Sequence, residues 1–196
     1  MIQHASEHFP ATAIPNLSFR RMDATQIQLS EKFDVAFSNA TLHWVKDQSA
    51  VLRGLHACLK TGGKILFQMG GQGNGSAIFA TVQEIIHRPP WQQYFKGFKP
   101  PYYFYGAKDY RTWLVENHFH PLRVEVIAKD MQHKGAEGLK DWLRTTWFPF
   151  TDRLPAELQE AFLGEALETY LTAHPIDNLG NTHISMIRLE VEAYTL

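Results

Sequence analysis

FDVAFSNATLHWVKDQSAVLRGLHACLKTGGKIL, residues 33–66, reads as a strand, a turn, a helix, a second turn and the opening of another strand. Phe33 to Asn39 is a nearly continuous apolar run, the pattern of a strand buried on both faces. Asp47 stands where a carboxylate can accept from the free N–H groups of a first helical turn and oppose the dipole there. Val51, Leu52, Leu55 and Leu59 make one apolar stripe at helical spacing. Lys60 fits the last turn of that helix, Gly62 can supply a left-handed closing residue, and residues 63–70 are again a strand. Two strands joined by a helix and tight turns form a right-handed parallel crossover. Residues 1–70 are therefore expected to belong to an open α/β sheet.

Working outward, Met1, Ile2, Ala5 and Phe9 have roughly helical spacing before Pro10. LSFRRMDA, residues 17–24, alternates like a short strand and closes in Asp23-Ala24. On the other side, a helix is expected over 76–87, with Ile78, Val82, Ile85 and Ile86 apolar, until Pro89-Pro90 ends it. WQQYFKGFKPPYYFYG, residues 91–106, is dense in aromatics and too irregular for a strand, and reads as a lid or wall. Further helices are expected over 109–117, over 138–146 with Trp142 and Leu143, and from Pro155 to about Leu171. Strands are expected over 122–134 and 183–196. The whole reads as a single domain, residues 1–196, with helical and aromatic insertions at 88–121 and 135–175 that form a cap over a substrate.

Bulk properties narrow the partners. The chain of 196 residues is 44% hydrophobic and 13% aromatic, enough for one ordinary core. Nineteen basic against twenty acidic residues, with no basic stripe, give no field to hold a phosphate backbone, so nucleic acid is not an expected partner. The single cysteine, Cys58, excludes a disulfide framework and points to the cytoplasm. No apolar stretch is long enough for a membrane span, and MIQHASEHFP lacks the features of a signal peptide, so no membrane association is expected.

In open α/β sheets, ligands bind beyond the carboxyl ends of the strands. Asp23-Ala24 and Asn39 to Trp44 both occupy such ends. An acid with an adjacent backbone N–H can read an adenine edge, though an Asp after a strand is often only a turn residue. Taken in order, Met1-Ile2, Asp23-Ala24, FDVAFSNATLHWV and LRGLHACLKTGGKILFQM resemble the class I S-adenosylmethionine-dependent methyltransferases, and most closely their trans-aconitate methyltransferase-like branch. The specific motifs lie between residues 17 and 70; the likeness continues more loosely to the last strand.

That resemblance implies a Rossmann-like, mostly parallel sheet with helices on both faces, and S-adenosylmethionine as cofactor. It implies that Asp23 and Ala24 hold adenine, that Asn39 and Ala40 line the methionine side with His43 beside them, and that Trp44 faces the transferred methyl group and the substrate. It also implies that the family's opening strand, Gly-rich turn, helix and second strand precede the Met-Ile at which this sequence starts, so a truncated or fragmentary N-terminus is expected. Without that central strand, the unpaired sheet edges are expected to be met by self-association, by exchange of elements between copies, or by upstream residues of the native protein.

Several local features carry two readings. Gly71-x-Gly73-x-Gly75 imitates a cofactor-binding turn, but no strand closing in an acid follows, and it reads as a flexible loop on the substrate side. His4 and His8 have metal-ligand spacing on a helix, yet lack supporting ligands, so no metal is expected. His43 invites a general-base role, but a carboxylate substrate is already ionised, which favours a positioning or packing histidine. The aromatic cluster, Tyr103 and Tyr105 among it, forms a pocket wall. Arg144 and Arg188 are candidates to hold a carboxylate, with an ordinary surface role the alternative for Arg144. The expected function is methyl transfer to a small molecule, O-methylation of a carboxylate; the alternative is a non-catalytic binding or scaffolding protein derived from such an enzyme.

Overall fold

The computed structural model describes residues 1–196. Helix α1 (Ile2–His8) precedes an irregular stretch and strand β1 (Phe33–Asn39). There follow α2 (Gln48–Cys58), β2 (Leu59–Gly70), α3 (Ser76–Ile85), α4 (Ala107–Glu116) and β3 (Phe119–Lys134). Helices α5 (Gly135–Thr146), α6 (Phe148–Thr151) and α7 (Ala156–Ala173) lead to β4 (Asn181–Thr195). No helix is long and apolar enough to cross a membrane.

The four strands form one sheet in the order β1-β2-β4-β3. β1 and β2 are parallel, as the α2 crossover requires, and β4 runs antiparallel to both β2 and β3. The α/β class stands, but the sheet is mixed rather than mostly parallel, two of its three pairings being antiparallel. Alternation along the strands sends Ile65, Phe67, Met69, Leu189, Val191 and Ala193 to one face, where α2 and α4 cover them. On the other face, Ile184 of β4 meets α3, α5 and α7 in a second, aromatic-rich core. Beyond Met186 that face is open and ionic: Arg123 and Arg188 both reach Glu190.

α2 is capped as its sequence asks, Asp47 accepting from the Ala50 N–H at 2.8 Å. α4 starts at Ala107, two residues earlier than its apolar pattern suggests, because Asp109 reaches back to the Gly106 N–H at 2.8 Å. Three expectations are corrected. Residues 17–24 do not form a strand, since no neighbouring strand lies alongside to complete a ladder. β1 is not buried on both faces: it has one neighbour, and Phe33, Val35 and Phe37 are exposed. Gly62 is left-handed but does not close α2, which ends at Cys58 with Leu59 already extended; Lys60 belongs to β2 and pairs with Asp34 at 2.7 Å.

Candidate functional site

A cavity of about 610 Å³ opens at the carboxyl ends of β1 and β2. Its floor is the turn after β1 (Ala40, His43, Trp44) and the end of β2 (Gln68, Met69, Gly70). One wall is Phe79 of α3 with Tyr102 and Phe104 of the aromatic segment; the other is Trp142, Thr145, Thr146, Trp147 and Phe148, at the end of α5 and the start of α6. Lys129, Asp130 and Met131 of β3 and Met186, Ile187 and Arg188 of β4 complete it.

The floor is fixed by a buried polar hub. Gln48, 2% exposed at the start of α2, donates from Nε2 to the carbonyls of Leu42 (2.8 Å) and Val45 (2.6 Å) and accepts from the Tyr110 hydroxyl at 2.6 Å. These bonds hold the turn that presents His43 and Trp44 against both α2 and α4. The Gly70 N–H donates to His43 Nδ1 at 3.3 Å, which leaves the proton of the neutral ring on Nε2. Burial lowers the His43 pKa, so the neutral donor form prevails. A Cβ at Gly70 would lie 2.7 Å from the Phe104 ring and 2.9 Å from Asn74 Nδ2, so any side chain there would force those groups to shift.

The Gly71-Gly75 segment borders the cavity, as expected, but it is laced down rather than loose. Its Gly71 and Gly75 N–H groups donate to Ile187 and Ser185 of β4, and the Ile187 N–H donates to Asn74 Oδ1 at 2.9 Å. Gly75, at φ +61, supplies the left-handed residue from which α3 starts.

The proposed site residues separate into two groups. Ala40, His43, Trp44 and Arg188 line the cavity; Trp44 stacks on Phe148 and lies 4.6 Å from the Tyr102 ring. The others do not. Tyr103 and Tyr105 lie outside the wall, which takes Tyr102 and Phe104 instead: the Tyr103 N–H donates to the His43 carbonyl at 2.8 Å, and alternate residues pair off, Tyr102 with Phe104 and Tyr103 with Tyr105. The Tyr105 hydroxyl instead donates to the Lys46 carbonyl. Arg144 is outside the cavity as well. It lies on the outer side of α5, bidentate to Glu160 at 2.8 and 3.0 Å and paired with Asp141, and this pairing holds Glu160 down to about 2.

Asn39 is exposed at the strand end and outside the cavity wall. Asp23 and Ala24 are likewise outside it; Asp23 Oδ1 accepts from the backbone N–H and hydroxyl of Thr25, the turn role that any Asp can take. Ala40, His43 and Trp44, just after β1, thus line the cavity, whereas Asp23 and Ala24 do not. No group of three His, Cys, Asp or Glu side chains is placed to hold a metal. Gln48, Tyr110, Lys129 and Phe148 were not singled out from sequence. Only Gln48 had a local signal there, as the polar residue next to a helix cap.

A methyltransferase domain family matches residues 1–67. An uncharacterized methyltransferase of Schizosaccharomyces pombe is 31% identical over 128 residues, 63% of this chain and 48% of its own length. A trans-aconitate 2-methyltransferase of Agrobacterium fabrum is 26% identical over 175 residues, 84% of this chain and 64% of its own. The chain thus spans about half to two-thirds of the length of these curated relatives. Among solved structures, the YcgJ protein of Bacillus subtilis superposes with a TM-score of 0.60 at 12% identity, over 100% of this chain and 78% of that one. The chain has an α/β fold like that of this solved structure, and methyltransferases are what its sequence is similar to.

Proposed function

We propose that the cavity holds the acceptor in a methyl transfer from S-adenosylmethionine to a small molecule, the nucleophile being a carboxylate oxygen. The observation that carries this reading is the polarity of the wall. His43 has its Nε2 proton to offer, Asn74 keeps its Nδ2, Arg188 has a buried Nε with no partner, and Lys129 makes no ion pair. The one carboxylate in the wall, Asp130, is engaged by His183 and Gln132. Donors without acceptors suit an anion, and the surrounding aromatic rings suit a flat or apolar body. The likeness to trans-aconitate 2-methyltransferases supports the same class.

S-adenosylmethionine, when bound, supplies an activated methyl group. The chain's own part is to hold the acceptor oxygen in line and to exclude water. An ionised carboxylate needs no base, which agrees with a His43 that is neutral and donates. Trp44, Trp142 and Trp147 line the cavity, so ligand entry is expected to quench tryptophan fluorescence. Titration with trans-aconitate should quench at concentrations at least ~10-fold below those of its neutral ester, about 1.4 kcal/mol of discrimination. Equal quenching by both would sink the anion assignment. Turnover is read from transfer of a labelled methyl group to the same acid. The positions of Asp23 and Ala24 favour a second reading, in which the cavity binds acids without methylating them; quenching without turnover selects it.

A further inference from the structure

Alternation along β4 puts Arg188, Glu190 and Glu192 on the same face as Met186, the face that carries the cavity. In register, Arg188 stands beside Gly70 of β2 and Ile127 of β3, Glu190 beside Gln68 and Glu125, and Glu192 beside Leu66 and Arg123. Neither cross-strand neighbour of Arg188 is charged, and Gly70 has no side chain with which to hold the guanidinium. The one acidic partner of Arg188 is Glu190, two residues along its own strand, met through Nη2 at 2.6 Å. Arg188 Nε is buried and has no partner.

Glu190 lines no part of the cavity, yet its side chain is only 13% exposed and both of its oxygens are engaged. Oε1 meets Arg188 and Oε2 meets Arg123, so each guanidinium has an oxygen of its own. Arg123 is drawn further by Glu125 at 3.8 Å and Glu192 at 3.9 Å, and Lys64 lies 4.0 Å from Glu192. The acids are thus spread over the cations away from the cavity, and the cation at the cavity end keeps part of its charge and of its donors. An untethered arginine would lose side-chain freedom on receiving a ligand. Held at Nη2, it has lost that freedom already, and the rest of its planar fork keeps one direction.

Resting on the reading of the cavity as an acid site, we propose that Glu190 is a positioning residue: it fixes Arg188 so that the free part of the guanidinium faces the carboxylate of the acceptor. Glu190 does not reach the cavity and acts through Arg188. The test is the preference for trans-aconitate over its neutral ester, read by tryptophan quenching. Glu190→Ala should reduce that preference by about 5-fold, the size of a direct side-chain coupling, and leave quenching by the ester unchanged. Arg188→Gln should reduce it at least as much, and adding Glu190→Ala to Arg188→Gln should reduce it no further. Arg123→Gln breaks the row beyond Glu190 and should keep the preference, whereas a merely structural role for the row would make it fall here too. Glu190→Met, of like length but without an acceptor, carries the same comparison if circular dichroism shows the alanine variant unfolded. A preference that survives the loss of Glu190, rises with it, falls equally in Arg123→Gln, or falls additively in the double variant would overturn the positioning role and leave the acid site standing. No preference in the unaltered chain would overturn both.

Discussion

Residues 1–41 and residues 42–196 differ in kind. All 41 buried residues of the chain lie from Leu42 onward, and none before it. Yet the apolar run of β1 is as dense as that of β2. The difference is in neighbours: β2 lies between β1 and β4, and its Ile65, Phe67 and Met69 are 0–4% exposed, whereas β1 has one neighbour and its Phe33, Val35 and Phe37 are 39–72% exposed. An apolar pattern states what a strand can bury. What it does bury is set by the elements laid against it.

The sharpest way to break this contrast is to truncate one phenylalanine in each region. Phe162 of α7 is 1% exposed and packs against Trp91 and Phe95, while Phe9 is 50% exposed. Phe162→Ala should cost about 3–5 kcal/mol by urea unfolding, and Phe9→Ala no more than about 0.5 kcal/mol. Comparable costs would mean that the first region is packed after all. A smaller loss is expected at the seam between the regions. Gln48→Ala leaves the Leu42 and Val45 carbonyls and the Tyr110 hydroxyl without their partner, a loss of about 1–3 kcal/mol. Because the same bonds hold His43 and Trp44, this variant should also weaken quenching by trans-aconitate. Unchanged quenching would show that the turn holds its shape without the hub.

The same contrast explains what the sequence discloses. Helices α2, α3, α5 and α7 and strands β1, β2, β3 and β4 are legible because each rests on local periodicity and caps, and Asp47 caps as its type dictates. That residues 17–24 form no strand was not legible in the same way, since alternation supplies a candidate and only a neighbour makes a ladder. Within the cavity, Trp44 and Arg188 were readable from their places at the end of β1 and in the last strand. Tyr103 and Tyr105 missed by one residue, because composition marks an aromatic segment but not which parity faces inward; the bond from the Tyr103 N–H to His43 decides that. Arg144 and Arg188 were both candidates to hold a carboxylate; Arg188 lines the cavity with Glu190 as its one acidic partner, whereas Asp141 and Glu160, from α5 and α7, hold Arg144 away from it.

The smallest effect expected concerns two histidines of the second region whose surroundings push them in opposite directions. His183 of β4 faces Asp177 through Nε2 at 2.9 Å and Asp130 of β3 through Nδ1 at 2.8 Å. Carboxylates accept only, so both ring nitrogens must carry protons, and the two acids raise the His183 pKa above its ordinary 6.5, Asp177 first. Asp177 is in turn held down to about 2, chiefly by the Asn181 N–H and next by His183. A raised histidine contributes stability that is complete below 6.5 and is lost as pH climbs through the folded pKa. A depressed aspartate contributes above 3.8 and is lost as pH falls toward 2. The clasp between β3, β4 and the residue 177 turn is therefore complete only between those limits. His43 works the other way: burial lowers its pKa, so it costs stability as pH falls below 6.5. Because His183 is solvated, its share of stability is small and screened by salt, and the measurement that resolves it is an NMR titration of the imidazole Cε1–H signals. His183 should titrate above 6.5 and His43 below it, and Asp177→Asn should bring His183 down without moving His43. A His183 that titrates at or below 6.5 in the unaltered chain would mean that the clasp does not hold in solution, and that the buried body ends short of the turn at residue 177.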